Sequence, residues 1–263
     1  MRAFAAGLQQ RLIPILIVIE LFSGSSRFGH TAHQSGEWVL LIDLKFGAGF
    51  DLALRKLQMQ VLGWIQAGFV RYILGGFPCR SFSRARNAPN GPPALRDALH
   101  VSGLPDLRPG DELNVQLGNN LLWFVVRVAE ACILARTPCV LENPWTAWSW
   151  KMQRMIQLLR SKHVQLSRTD FCMWGTPWLK ATGFLTVYCQ PQHIVRLCRS
   201  RGSCARTQRP HVVLKGTNSA GVHLTHLAEP YPKSLCIKLV QMCKNASLEL
   251  QSHRLDAVFC KFC

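Results

Sequence analysis

Cys79 stands in the stretch LGGFPCRSFSRAR, which runs from Leu74 to Arg86. A cysteine is a nucleophile only as its thiolate, and nearby cations favour that form. Arg80, Arg84 and Arg86 follow directly, and Pro78 fixes the backbone just before it. These types in this order suit covalent catalysis; the competing reading is a buried structural thiol. A second group is Glu142, in CVLENPW. A carboxylate closing a buried apolar run is costly unless it has a partner or a task. Its plainer reading is an ion pair with an arginine. A third group is the turn ELFSGSSRFG. Gly24 lets backbone approach a ligand closely, Ser26 and its neighbours supply hydroxyls, and Asp43 follows Gly24 by 19 residues. Nucleotide-binding folds place a ribose-binding acid ~20 residues after the glycine turn. There is no G-x-G-x-x-G and no phosphate-loop lysine, so an adenosine cofactor without that phosphate grip fits better. Asp51, in GFDL, suits either an adenine amino group or the N-cap of the helix behind it.

The elements that must position these groups follow from apolar patterning. RLIPILIVIE reads as a first strand, beginning near Leu12, and GEWVLLIDL as a second, ending at Asp43. Leu54, Leu57, Val61, Leu62 and Ile65 have helical spacing. FVRYILGG is a third strand leading to Cys79. From Asn87 to Gly110 the chain is rich in Pro and Gly, which predicts a long, mobile loop. DELNVQLGNNLLWFVVRVAEACILA is a helix with its acids in the first turn. TPCVLENP, HVQLSRTDFC and WLKATGFLTVY give further strands, and KMQRMIQLLRSK a basic amphipathic helix. The tail after Lys244 shows little pattern, and reads as frayed or as a docked helix. Strand–helix alternation implies an α/β sheet, mostly parallel, with helices on both faces. Ligands of such sheets bind at the carboxyl ends of the strands. Gly24, Asp43, Asp51, Cys79 and Glu142 all fall at such ends.

The chain has 263 residues, enough for one large domain with an appendage. Its formal net charge is +17, which points to a polyanionic partner, most often nucleic acid. From Phe171 to Ala228 there is no Asp or Glu, while Lys180, Arg196, Arg199, Arg201, Arg206, Arg209 and Lys215 fall there. No apolar run reaches the ~20 residues that span a bilayer. The eleven cysteines are scattered through apolar segments, which suits free thiols in a reducing compartment. No acid precedes Glu20, and Arg2 and Arg11 leave an organelle transit peptide open; the charge otherwise suggests a nuclear or nucleoid location.

Taken together, LFSGSSRFG, IDL, FDL, GGFPCRSFS, LENP and FCMWGTPWLKATGFL resemble, in order, the motifs of the C5-cytosine methyltransferase family. The resemblance covers Ile15 to Leu185. It implies a Rossmann-like domain, from about residue 12 to 188, that binds S-adenosylmethionine and methylates carbon 5 of cytosine. It assigns the nucleophile to Cys79 and the ring-binding acid to Glu142. It places Phe22, Gly24 and Ser26 in the cofactor turn, Asp43 on the ribose, Asp51 on the adenine side and Pro78 beside the methyl donor. Arg80, Ser83, Arg84 and Arg86 would hold phosphates and favour the thiolate, and the loop from Asn87 to Gly110 would close over a flipped base. The partner so implied is DNA, with RNA as the alternative, bound by a single copy. Tyr231 and Pro232, in YPKSLCIKLV, weakly resemble the last motif, which returns to complete the cofactor pocket.

The chain departs from the family pattern at several points. Ser26 replaces its second glycine, Arg80 its usual glutamine, and Pro144 ends the ENV motif. The family's arginine pair, one of which holds the flipped base, aligns with Lys180 and Thr182. These changes leave an inactive nucleic-acid-binding relative as the second reading. The span from Leu185 to Tyr231 is too short for the family's usual target recognition module. In its place a basic insert, from about 189 to 228, carries Cys189, His193, Cys198, Cys204 and His211 beside Arg199 and Arg201. Those Cys and His residues suit zinc in type, but their spacing matches no common finger, so unligated thiols in a basic loop are expected.

Overall fold

The computed structural model describes residues 16–87, 91–199, 202–217, 219, 221 and 223–259. Leu12 and the start of the expected first strand, and Arg201, lie outside them. The first strand, β1, spans Ile17–Leu21; helix α1 (Arg27–Gln34) and strand β2 (Trp38–Ile42) follow. Next come α2 (Arg55–Gln66), β3 (Val70–Gly76), the long α3 (Pro109–Ala135) and β4 (Cys139–Pro144). The short α4 (Gln153–Leu158), β5 (Val164–Asp170), β6 (Ala181–Val187) and α5 (Lys233–Phe259) complete the set.

The six strands form one sheet in the order β2-β1-β3-β4-β6-β5. β2, β1, β3 and β4 are mutually parallel, and β6 runs antiparallel between β4 and β5. This is a Rossmann-like α/β sheet with one reversed strand. Side chains alternate between its two faces, as a pleated strand requires. Ile19, Leu21, Ile73 and Leu141 join the core under α2, α3 and α4. Val18, Tyr72, Leu74 and Val140 join the core under α1 and α5. Both faces are covered, so the central strands β1, β3 and β4 are mostly buried, while the edge strand β5 (VQLSRTD) is largely polar.

Three expectations are corrected. Asp51 does not cap α2; the cap position is Leu54. Asp51 Oδ1 instead accepts from Ala53 N at 2.8 Å, a local turn that sets the helix entry. The basic helix expected from Lys151 to Lys162 is reduced to α4, because Trp148–Lys151 forms a 3-10 turn and Met152 is extended. Trp148, Trp150 and Met152 are all buried, and core packing overrides the helical pattern there. Finally, α3 is long and apolar enough, by length and composition, to cross a bilayer. In this fold its Leu122, Val125, Val126 and Ala129 are buried in the core.

Candidate active site

The carboxyl ends of β1, β2, β3 and β4 bring the candidate residues to one end of the sheet. Gly76, the last residue of β3, pairs in register with Glu142 of β4. Cys79 lies three residues beyond Gly76, in a turn closed by Phe82 N and Ser83 N donating to Cys79 O at 2.9 and 2.8 Å. Asn143 Nδ2 donates to Phe77 O at 2.8 Å and ties this turn to the end of β4. Lys180 precedes β6, whose residues Thr182 and Phe184 pair with Pro144 and Glu142. Because β6 is antiparallel, its beginning meets the end of β4, and Lys180 Nζ comes within 3.6 Å of Glu142 Oε1.

Glu142 is buried. Its Oε2 accepts from the Tyr231 hydroxyl at 3.4 Å. Its Oε1 has no hydrogen-bond partner among the described residues, since Lys180 sits at ion-pair distance and donates to Ala228 O at 3.2 Å. A buried carboxylate oxygen left this way costs free energy that a ligand donor could recover. Burial, and then the Glu142 carboxylate, push the Tyr231 hydroxyl well up, so it stays a neutral donor. A side chain at Gly76 would meet the Tyr231 hydroxyl at 2.5 Å, so this glycine is what allows the contact.

The Cys79 thiol is also pushed up, first by burial and then by Glu142; the Lys180 ammonium opposes this. The expected thiolate ring of arginines is therefore not what surrounds it. Arg84 lies over the Trp148 ring at 4.9 Å. Arg86 Nε donates to Pro93 O at 2.8 Å, and its guanidinium pairs with Asp111 at 3.6 Å. Arg80 is exposed, Ser83 is half-buried, and Pro78 is exposed beside Cys79. The cation that acts on Cys79 is Lys180. Thr182, the other residue aligned with the family's arginine pair, is buried within β6 and carries no charge.

Behind the Cys79 turn sits a residue the motifs did not single out. Arg96 is 1% exposed. Its guanidinium donates to Ser81 O and Ser81 Oγ, both at 3.0 Å, and to Val101 O, Asn119 Oδ1 and Val115 O at 2.7, 2.8 and 3.2 Å. It also lies 3.9 Å over the Phe82 ring. The loop after Arg86 is thus anchored at Arg96 where it is described. Local pattern gave no signal, because a lone arginine in a Pro-rich stretch reads as solvated.

At β1, the chain turns sharply. Phe22, Gly24 and Ser26 have φ of 54°, 45° and 55°. Only glycine holds that region without strain, so Phe22 and Ser26 are kept there by their surroundings. Lys45 Nζ donates to the buried Ser26 Oγ at 3.0 Å. Asp43 Oδ2 accepts from Gly24 N at 2.8 Å, and Oδ1 from Lys45 N at 3.0 Å. Phe46 and Phe50 are 44% and 39% exposed, an edge-on pair between Asp43 and Asp51. Glu20, also unflagged by its motif, is buried against α1 and accepts from Gly29 N at 2.9 Å. Burial raises its carboxyl to about 7, against that hydrogen bond and Lys45. Arg27 donates to Tyr231 O at 2.7 Å, so the segment before α5 does return to this end.

The basic insert packs beside β5. Arg199 is exposed. Cys189 lies in the core, 4.0 Å from Cys243, so it is not with Cys198, Cys204 and His211. Cys172 takes its place beside those three. Cavities of about 370 and 520 Å³ lie elsewhere, between α1 and α5 and between the 102–107 loop and α3. Cavity volume does not select the site; the convergence of side chains does.

No protein-family model and no curated protein sequence matches the chain. Among solved structures it is similar to a mutant of Spodoptera frugiperda DNMT2, at 15% identity and a TM-score of 0.36 over 65% of this chain. It is similar to the Entamoeba histolytica methyltransferase EhMeth, at 10% identity and 0.39 over 78%. It is also similar to an Escherichia coli protein named as a DNA modification methyltransferase encoded within a prophage, at 14% identity and 0.35 over 78%. The chain covers 49%, 60% and 56% of those three chains, respectively. Likeness at this level assigns no activity by itself, and a functional reading rests on Cys79, Glu142, Lys180 and the first turn.

Proposed function

We propose that the protein transfers a methyl group from S-adenosylmethionine to carbon 5 of cytosine in nucleic acid, with DNA ahead of RNA. The observation that carries this reading is the buried Glu142 Oε1, without a hydrogen-bond partner among the described residues, beside a cysteine and a lysine. A cytosine ring offers the donors that such an acceptor lacks. The residues of the first turn fit the cofactor. Asp43 is held by two backbone N–H groups and keeps lone pairs for hydroxyls. Phe46 and Phe50 offer exposed apolar faces for adenine. S-adenosylmethionine supplies an electrophilic methyl group when bound.

In this reading, the Cys79 thiolate adds to C6, and the electron pair of the C5–C6 bond makes C5 nucleophilic. Glu142 binds and protonates the ring at N3, neutralising the negative charge that develops there, and accepts from the 4-amino group. Lys180 favours the thiolate and orients Glu142. C5 takes the methyl group from the sulfonium, leaving a neutral thioether; a base removes the C5 proton, and the returning electron pair expels Cys79 as its thiolate while N3 gives its proton back to Glu142. Arg80, Arg84, Arg199 and Arg201 would contact phosphates.

The raised Cys79 thiol and the engaged Arg84 and Arg86 favour one second reading, a nucleic-acid-binding protein that keeps the fold without the reaction. Labelled S-adenosylmethionine with cytosine-rich DNA and RNA separates the two. Transfer is expected, together with a covalent adduct to 5-fluorocytosine that Cys79→Ser cannot form. Salt-sensitive binding with neither transfer nor adduct would establish the second reading.

A further inference from the structure

We infer that Cys172, Cys198, Cys204 and His211 form a structural zinc site that staples the basic insert to the end of the sheet. Their ligand atoms all lie within 4.8 Å of one another. Cys198 Sγ lies 3.7 Å from His211 Nε2. A tetrahedral zinc, with Zn–S about 2.3 Å and Zn–N about 2.0 Å, holds its ligand atoms roughly 3.5–3.8 Å apart. The four groups therefore need only a small contraction to close on one ion. Cys172 and Cys204 are buried, and Cys198 and His211 half-buried, so the centre is largely shielded from solvent. Three thiolates and one imidazole select zinc over harder cations. Four protein ligands leave no open position, which marks a structural rather than a catalytic ion.

The surroundings are built to orient these ligands, as outer-shell groups around a metal do. Ala205 N donates to Cys198 Sγ at 3.3 Å. Cys198 N donates to Asp170 Oδ2 at 2.8 Å, and Arg168 grips that buried carboxylate at 2.9 and 3.1 Å. Cys204 N donates to Arg209 O at 2.7 Å, and a Ser203–Pro210 bridge closes the loop that presents both Cys204 and His211. Arg206 Nε donates to Cys172 O at 2.7 Å from the same loop.

The insert also needs such a staple. Of its residues from Pro191 to His211, only Pro191, Ile194 and Cys204 are buried among those described. That is too little apolar surface to hold a segment in place, and small units of this kind are commonly fixed by a metal. The ion would join Cys172, just after β5, to the loop carrying Arg199 and Arg206. It would thus set where those cations stand relative to the sheet. The site is independent of methyl transfer and stands or falls by metal content alone.

The test is metal analysis of the full chain, purified under reducing conditions without chelator. One zinc per chain is expected for the wild type and for Cys189→Ala, and near-background zinc for Cys198→Ser and Cys204→Ser. His211→Cys should keep the ion. After exchange to cobalt(II), its absorption bands should move towards those of a four-thiolate site. If the serine variants do not accumulate, cobalt(II) titration of the chelator-treated wild type answers instead, and tetrahedral bands saturating at one ion per chain are expected. A wild type that carries little zinc and takes up no cobalt would overturn the inference. So would a Cys198–Cys204 disulfide in the purified protein, or full zinc content in Cys204→Ser.

Discussion

At Cys79, a carboxylate and an ammonium pull in opposite directions. Burial and Glu142 hold the thiol protonated, and Lys180 works against them. Alkylation of Cys79 should therefore be slow at neutral pH and rise on the alkaline side. Glu142→Gln should speed alkylation several-fold at neutral pH while abolishing methyl transfer. Lys180→Met should slow it, and Arg84→Ala should leave it nearly unchanged. Equal alkylation rates in all four proteins, followed by mass spectrometry, would separate Cys79 from the pair. Glu20 makes a second residue-scale prediction. Its carboxyl is raised from the ordinary 4.5 to about 7, so the fold favours its protonated form. Its contribution is full below about pH 4.5 and is lost as pH rises through about 7. The loss is about 3 kcal/mol. Glu20→Gln keeps an acceptor for Gly29 N and should flatten this part of the stability profile in urea unfolding. A profile as steep as that of the wild type would assign the slope to another group.

Two elements determine whether the site is assembled at all. The first is the reversed strand β6. A parallel strand there would begin at the far end of the sheet and carry Lys180 away from Glu142. The second is the loop anchored by Arg96. Its guanidinium meets five neutral acceptors and, among the described residues, no carboxylate, and burial lowers its pKa to about 10. Arg96→Met would remove the side-chain donor from the carbonyls of Ser81 and Val101, a cost of about 2 kcal/mol or more. Arg96→Lys should recover little, because one ammonium cannot reproduce the planar fork. Gly118 of α3 packs so closely on Ser81 that a Cβ would displace it. Gly118→Ala should therefore shift the Cys79 turn and reduce adduct formation more than it reduces cofactor binding. Equal losses in both measurements would mean general unfolding.

For the whole molecule, charge and the two-sided core carry different consequences. A net charge of +17 with no acid from Phe171 to Ala228 predicts nucleic-acid binding that weakens steeply with salt and reads bases poorly. Preference for one short site by about a thousandfold over random DNA would contradict it. The second core depends on α5, whose Leu235, Leu239 and Cys243 are fully buried against the sheet. Lys244 of α5 pairs with Glu37 at 3.1 Å, off hydrogen-bond geometry, and donates to Ser35 O at 3.2 Å, which ties that helix to the end of α1, while Arg71 of β3 holds Glu37 at 3.0 Å. Leu239→Ala should destabilise the fold by about 2–5 kcal/mol in denaturant unfolding.

Strands β1 to β4, helices α2 and α3, and the placing of Gly24, Asp43, Cys79 and Glu142 at strand ends were legible in the sequence. Apolar period and turn residues are local signals, and a parallel sheet converts them directly into a site at one end. The direction of β6 was not legible, because an apolar run reads the same in either orientation; pairing decides it. The burial of Arg96 and of Glu20 was equally hidden, since a charged residue in a loop or strand shows its partners only after folding. The tail after Lys244 has no clear period, yet it is held as part of α5 by the packing of the preceding turns. The replacement of Cys189 by Cys172 beside His211 belongs to the same class. Spacing along the chain says nothing about thiols that long-range packing brings together, and only the tertiary structure decided which four groups meet.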